Sequence, residues 1–497
     1  MRKSSPCCLS TVFFCILAAS SAEAETLNIT VTDSDSGNLL PCRIRLYKSE
    51  TEKKPEYLDV CDGKVGIPAR AGRYRLRVQH GPEYERSEQD VQIRQGKDMD
   101  LSVRLRRLVN AREKGWWSGE THLHFPGRLK GRSLNEESLK KLKLHMLAED
   151  LNLAPNLSVC RSRLPVGNVW PPEHVIQIDA DRLCTLRNWE DEKSPDSVIY
   201  FNVTRPFINP RGPVHGHVDR LIEVKRQQPE VWASLPAVNL EGVPELVATR
   251  SVDSIEIASH FCSWWIQTDW KGAPPFGGWG RKPPKSLDRT FRTRGLFHLQ
   301  LYYGILNCGF RIPPSAGTAF GLRGPVGLGY DRVYVHLDEP FTNENWWKGF
   351  KAGRVFVTNG PILIVTANGK LPGEVFSCPT GKTLELNLDI ALFSNEPVEC
   401  VEIVQDGKVV QKIQEESISE RIKAEPLSFA RSGWFHVRAI TAVTKTFRFA
   451  CTGPSYVEVG DKRSTIHRPD VEYFLEWIGK RESKGKKVYE ELLRQAE

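Results

Sequence analysis

A chain of 497 residues is too long for one compact core, so about two to four domains are expected. Hydrophobic residues make up 40% and charged residues 26%, an ordinary globular balance, with 38 Gly and 32 Pro to supply turns. The formal net charge is +8, but its basic residues are scattered, with no basic stripe interleaved with aromatics, which argues against a nucleic-acid partner.

In chain order, residues 1–24 read as a cleavable secretory signal: Arg2 and Lys3, an apolar run over Cys7–Ala19, and the small residues of Ala22-Glu23-Ala24. The expected location is therefore periplasmic or extracellular, where a basic surface would favour cell-envelope association. No later stretch is long and apolar enough for a transmembrane helix. Nine cysteines remain after the signal, none as CxxC, so a cysteine zinc knuckle is not indicated. Cys42 and Cys61 are a candidate disulfide pair, with buried free thiols as the alternative.

Residues 25–107 carry alternating runs at Leu27–Val31, Arg43–Tyr47, Gly72–Val78 and Leu101–Leu105, the spacing of a small β-sandwich. This region resembles the carboxypeptidase-regulatory-like domains found beside secreted hydrolases. A charged linker, Arg106–Lys114, follows.

The stretch Gly115–Asn152 organises the rest. His122 and His124 stand two apart, which on a strand puts both imidazoles on one face and suits a shared divalent ion. Ser133 and Glu136 form a capping-box pattern before an amphipathic helix lined by Leu139, Leu142 and Met146. The competing reading is a plain strand with two half-buried histidines. A second pair, His215 and His217, flanks Gly216 in a predicted loop, where side chains need not converge.

Downstream, Glu190 lies within the run Leu186–Glu192, which by its own pattern reads as a solvated acidic turn. Glu256 and His260 lie an even number apart on a predicted strand and so share a face, as ligands, acid/base groups or a core pair. Residues 261–290 are rich in Trp, Pro and Gly, and Trp264 and Trp265 suit substrate contact or rim packing. A helix is expected at 291–307 and another at 342–352, with Thr342 or Asn343 as its cap. Residues 362–456 return to β patterning with hairpin turns at Asn368-Gly369 and Asp406-Gly407. Residues 467–497 read as two helices with a break in the run Arg481–Lys487.

Thr121-His122-Leu123-His124 at the start of an α/β region resembles the opening motif of the PHP (polymerase and histidinol phosphatase) metallohydrolases. Within them the chain is most similar to the carbaryl-hydrolase-like group, CehA/McbA. The stretches LYYGILNCGFRIPPSAGTAFG (301–321), VGLGYDRVYVHL (326–337) and ENWWKGFKAGRVFVTNGPILIVTANGKLPGEVF (344–376) carry the same resemblance. It implies a multidomain α/β fold: a distorted PHP-like (β/α) barrel over 116–361, flanked by β-sandwiches at 25–107 and 362–456, with a helical tail at 457–497. It also implies metal-dependent hydrolysis of an ester, amide or phosphoester in a small-molecule or glycan substrate. The implied centre is one Zn or Mn at His122, His124, Glu190 and His260, with Glu256 or Glu190 as base.

Several family motifs are altered. Where the second strand of the superfamily ends in an Asp-His pair, two registers are open. One puts Asp150 at that Asp; the other puts Leu157–Cys160 there and leaves Asp150 structural. Ser197 stands where a His is expected, Leu235-Pro236 lacks the His of His-Pro, and Ser315-Ala316-Gly317-Thr318 lacks the final Asp and His. Ser315 and Thr318 are then candidate substrate contacts. The rival expectation is a non-catalytic barrel that binds an envelope ligand such as a glycan.

Overall fold

The computed structural model describes residues 25–48, 55–126, 134–160, 170–193, 196–207, 216–259, 281, 284, 286, 288, 290–322, 326–414, 420–480 and 483–496. Its N-terminal part has seven strands: β1 (Glu25–Asp33), β2 (Cys42–Tyr47), β3 (Tyr57–Cys61), β4 (Lys64–Ala69), β5 (Gly72–Gln79), β6 (Ser87–Ile93) and β7 (Met99–Leu105). They form two sheets, in the orders β4-β1-β7 and β3-β2-β5-β6. Alternation drives the pairing of these sheets. Leu27, Ile29 and Val31 of β1 share one core with Ile44, Leu46, Leu76 and Val78, while the residues between them face outward. Each fully buried aliphatic side chain contributes about 1.5–3 kcal/mol. All four expected strands are present, and the structure adds three.

A large mixed sheet follows. Strand β8 (Trp116–Gly119) leads to helix α1 (Glu136–Ala148), then β9 (Leu153–Cys160), β10 (Val175–Asp179), β11 (Arg182–Lys193) and β12 (Asp196–Phe201). Helix α2 (Gly216–Gln227), β13 (Trp232–Leu235), α3 (Val243–Ala248), β14 (Ser254–Ser259), α4 (Phe291–Asn307) and β15 (Pro314–Gly317) complete this half. The strand order runs β15-β14-β13-β12-β11-β9-β8. Beyond Gly119 the chain stays extended, and Leu123 bridges Asn156 on one side and Phe320 on the other. The Thr121 amide donates to the Ala316 carbonyl and the His124 amide to the Phe320 carbonyl. The path from β8 to β15 therefore returns to where it began, with strands of mixed direction.

Helix α1 starts two residues later than the capping-box reading requires. Its cap is Asn135, whose side chain accepts the Ser138 amide at 2.8 Å. Asn is as good a cap as Ser, and its carbonyl reaches the third residue's N–H. Ser133 lies outside the described residues. Residues 186–192 belong to strand β11, not to an acidic turn: burial of Leu186, Trp189 and Asp191 favours a paired strand over a solvated loop. Thr342 caps α5 (Asn343–Lys351), as expected.

The sheet does not stop at the barrel's expected edge. Strand β16 (Arg332–His336) pairs with β8 and β17 (Val355–Thr358), and β17 pairs with the strand Phe449–Thr452. One continuous hydrogen-bonded sheet so enters the C-terminal β region. There it shares a core with a smaller sheet through Leu363, Val365, Ile390, Val401, Ile403 and Val437. Asn368 and Asp406 take positive φ at the two expected turns. Helices α6 (Arg468–Ile478) and α7 (Lys484–Gln495) end the chain and bury Phe474, Trp477 and Tyr489. Among the described residues no helix is long and apolar enough to cross a membrane.

Candidate metal centre

The extended segment after β8 carries both histidines on one face, as the two-residue spacing predicts. Their ring centroids are 5.2 Å apart, and the two side chains are essentially buried. Leu123, between them, points the other way into a core with Leu142, Met146 and Leu151. Strand β11 brings in Glu190, paired in register with Val159 of β9 and Ile199 of β12. Glu190 Oε2 lies 3.1 Å from His124 Nε2, and Oε1 lies 3.8 Å from His122 Nε2. The donor atoms of His122, His124 and Glu190 all fall within 4.8 Å of one another. Two ligands each about 2.1 Å from a tetrahedral zinc stand about 3.4 Å apart. The 3.1 and 3.8 Å separations from Glu190 bracket that spacing, and two imidazoles with one carboxylate suit zinc or a harder divalent ion.

Glu256 of β14 takes a different place. Its Oε2 lies 3.2 Å from Nδ1 of His122, on the far side of the ring from Glu190. With Nδ1–H donated to Glu256, His122 is left to present Nε2 to an ion, the arrangement in which a carboxylate fixes a ligand's tautomer and orientation. Glu256 thus faces Nδ1 of His122 and stands outside the group formed by His122, His124 and Glu190. Close approach here depends on Gly317. A Cβ at that position would fall 2.2 Å from the His122 Cβ and 2.7 Å from Glu256 Oε1.

Ser197, standing where a histidine was expected, donates its Oγ–H to Glu190 Oε1 at 2.9 Å. Ser315 Oγ lies 2.7 Å from Thr121 Oγ1, which also donates to the Ala316 carbonyl. Thr318 Oγ1 accepts the Asp331 amide at 3.0 Å. Both proposed substrate contacts are buried and engaged within the protein. His260, Trp264, Trp265 and His215 lie outside the described residues.

Sequence reasoning passed over Glu120. Its Oε1 accepts the Thr318 amide at 2.9 Å and its Oε2 accepts the Gly329 amide, so it ties two loops beneath the histidines. The signal was available: Glu120 has the same parity as His122 and His124.

With protons as the only cations, the site is strongly polarised. Burial opposes charge on His122, but Glu256 and Glu190 outweigh it and raise its pKa to about 9. Burial likewise opposes charge on Glu190, yet the hydrogen bond from His124 and the charge of His122 bring it down to about 2. Burial pushes Glu120 up to about 8, partly offset by the two amide donors.

Asp150 is settled as structural. It sits with φ +46° just before β9, 2.7 Å from Arg182 and 3.3 Å from Arg107. Burial opposes its charge, but His80, Arg112, Arg182 and Arg107 hold its carboxyl well below the usual range. His217 faces the Asp191 carbonyl at 3.0 Å, and Asp191 is bound by Arg220. Strand alternation turns Asp191 away from the side that Glu190 faces. His217 is accordingly part of the packing of α2, not of the donor set. No protein-family model matches the sequence, and no curated protein matches it.

Proposed function

We propose that the chain is a metal-dependent hydrolase of the PHP type, acting on an ester, amide or phosphoester bond in a small-molecule or glycan substrate. The observation that carries this reading is the convergence of His122, His124 and Glu190 on one buried point, with Glu256 behind His122. An ion held there, Zn or Mn, lowers the pKa of water and polarises the scissile group. The residues of this chain divide the remaining tasks. His122 and His124 present imidazole nitrogens, Glu190 adds negative charge, and Ser197 fixes its rotamer. Glu256 holds the Nδ1 proton of His122, and Glu120 braces the loops at Thr318 and Gly329. The reading extends to the layout given by the resemblance: a secreted protein cleaved after Ala24, a β-sandwich at 25–107, a barrel at 116–361, a second β-sandwich at 362–456 and a helical tail.

One observation favours a second reading, a barrel that binds an envelope ligand such as a glycan without turnover. Ala316 and Thr318 stand where the family carries its Asp and His, and the hydroxyls of Ser315 and Thr318 are spent on Thr121 and Asp331. Elemental analysis of the purified mature chain, followed by chelation, metal restoration and a panel of chromogenic esters, amides and phosphoesters, separates the two. Hydrolysis that vanishes with the metal and returns with it supports the enzyme. Bound metal with glycan binding and no turnover supports the binding barrel.

A further inference from the structure

We propose that Cys42 and Cys61 form a disulfide that ties strands β2 and β3 of the N-terminal region to each other. The two residues are directly opposite each other in the antiparallel register of β2 and β3. Their sulfurs are 3.5 Å apart, and Cys42 is fully buried while Cys61 is 8% exposed. Facing residues of an antiparallel pair have Cα atoms about 4.5–5.5 Å apart, within the span of about 4.4–6.8 Å that a disulfide bridges. Rotation of the side chains alone therefore closes the bond. Other described cysteines face different groups: Cys451 lies 2.9 Å from His436 Nδ1, and Cys184 and Cys378 lie against backbone carbonyls.

The position of the hairpin gives the bond its consequence. Arg43, next to Cys42, pairs with Glu149 at the end of α1 in a buried contact. A Cβ on Gly327 would meet Arg43 Nη2 at 2.6 Å and Glu149 Oε1 at 2.8 Å, so this ion pair packs directly on the 326–331 loop. Gly329 of that loop donates its amide to Glu120, two residues before His122. A covalent tie between β2 and β3 holds Arg43 in place beneath the site.

The oxidation requires an external disulfide, R–S–S–R. As the hairpin forms, the more exposed Cys61 thiolate attacks it and expels one RS⁻. The Cys42 thiolate then attacks the Cys61 sulfur of the mixed disulfide and expels the second RS⁻. The two cysteines lose two electrons and two protons, and the external disulfide gains them as two thiols.

The test uses the full-length wild-type chain refolded in a glutathione buffer at an oxidising poise. It is quenched in acid, alkylated under denaturing conditions and mapped by peptide mass spectrometry with and without prior reduction. The expected result is a cross-linked peptide pair lighter by two hydrogens, with Cys42 and Cys61 unlabelled before reduction and labelled after it. In the same sample Cys184, Cys400 and Cys451 label without reduction. Labelling of Cys42 and Cys61 without reductant, or linkage of either to another cysteine, overturns the proposal.

Discussion

Two buried charge clusters, one around Asp150 and one around His122 and His124, solve burial differently. At the interface with the N-terminal sheets, Asp150 and Glu83 are met by arginines. Arg182 and Arg107 hold Asp150, and Arg107 lies 3.1 Å from Glu83, which also accepts the Ala111 amide and the Tyr334 hydroxyl. At the histidine cluster, Glu190 and Glu256 are met by imidazoles and hydroxyls. Guanidinium groups are permanent cations with many fixed donors, so the first cluster holds Asp150 charged without any ion from outside. Imidazoles exchange a proton for a metal at the same nitrogen, so the second can take up an ion.

The largest effect expected from breaking this contrast is on stability, at the arginine cluster. Asp150→Asn keeps a residue that tolerates positive φ but leaves Arg182 and Arg107 short of their counter-charge. Denaturant unfolding should show a loss of about 3–5 kcal/mol, the cost of orphaning a buried charge. Metal stoichiometry of the protein that remains folded should not change. Loss of metal in parallel with stability would mean the clusters are one unit.

At the histidine cluster the order reverses. His122→Ala should weaken metal binding by more than about 100-fold, since removing even an outer partner of a ligand costs about 10–100-fold. A competition titration against a chromophoric chelator measures it, and unchanged affinity would make the pair structural. Glu256→Gln should fall within that smaller range, because it disturbs the orientation of His122 and leaves the donor in place. An effect as large as that of His122→Ala would return Glu256 to the ligand shell.

The raised groups and the depressed groups give opposite signs of pH dependence. In chelator-treated protein the His122 pKa is raised to about 9, above the ordinary value of about 6.5. Its stabilising contribution is therefore complete below about pH 6.5 and is lost as pH rises through about 9, a drop on the order of 1–3 kcal/mol. Glu120, raised to about 8, acts in the same direction. Asp150 is depressed, so its contribution is present above its ordinary pKa and is lost only as pH falls below it. Thermal midpoints across this range should fall towards alkaline pH without metal, and the stabilisation by added metal should grow. A flat alkaline limb would place the proton elsewhere.

The smallest effect belongs to His217. His217→Ala removes one hydrogen bond to the Asp191 carbonyl, about 0.5–1.5 kcal/mol of stability, and should leave metal affinity untouched.

Local pattern carried much of this protein. The two-residue spacing of His122 and His124 put them on one face, because a strand repeats every two residues whatever surrounds it. Thr342 and the span 291–307 were legible for the same reason: caps and apolar periodicity act within a few residues. Only the tertiary structure decided the rest. Whether Glu190 sat in a turn or a strand depended on pairing with Val159 of an earlier strand and Ile199 of the next one. Asp150 and Glu190 are both acids at the edge of an apolar run, and nothing local separates them. The arginines that neutralise one and the imidazoles that meet the other come from elsewhere in the chain. Whether a buried carboxylate becomes a ligand or a brace is set by which cation reaches it, and that is fixed only when the sheet closes.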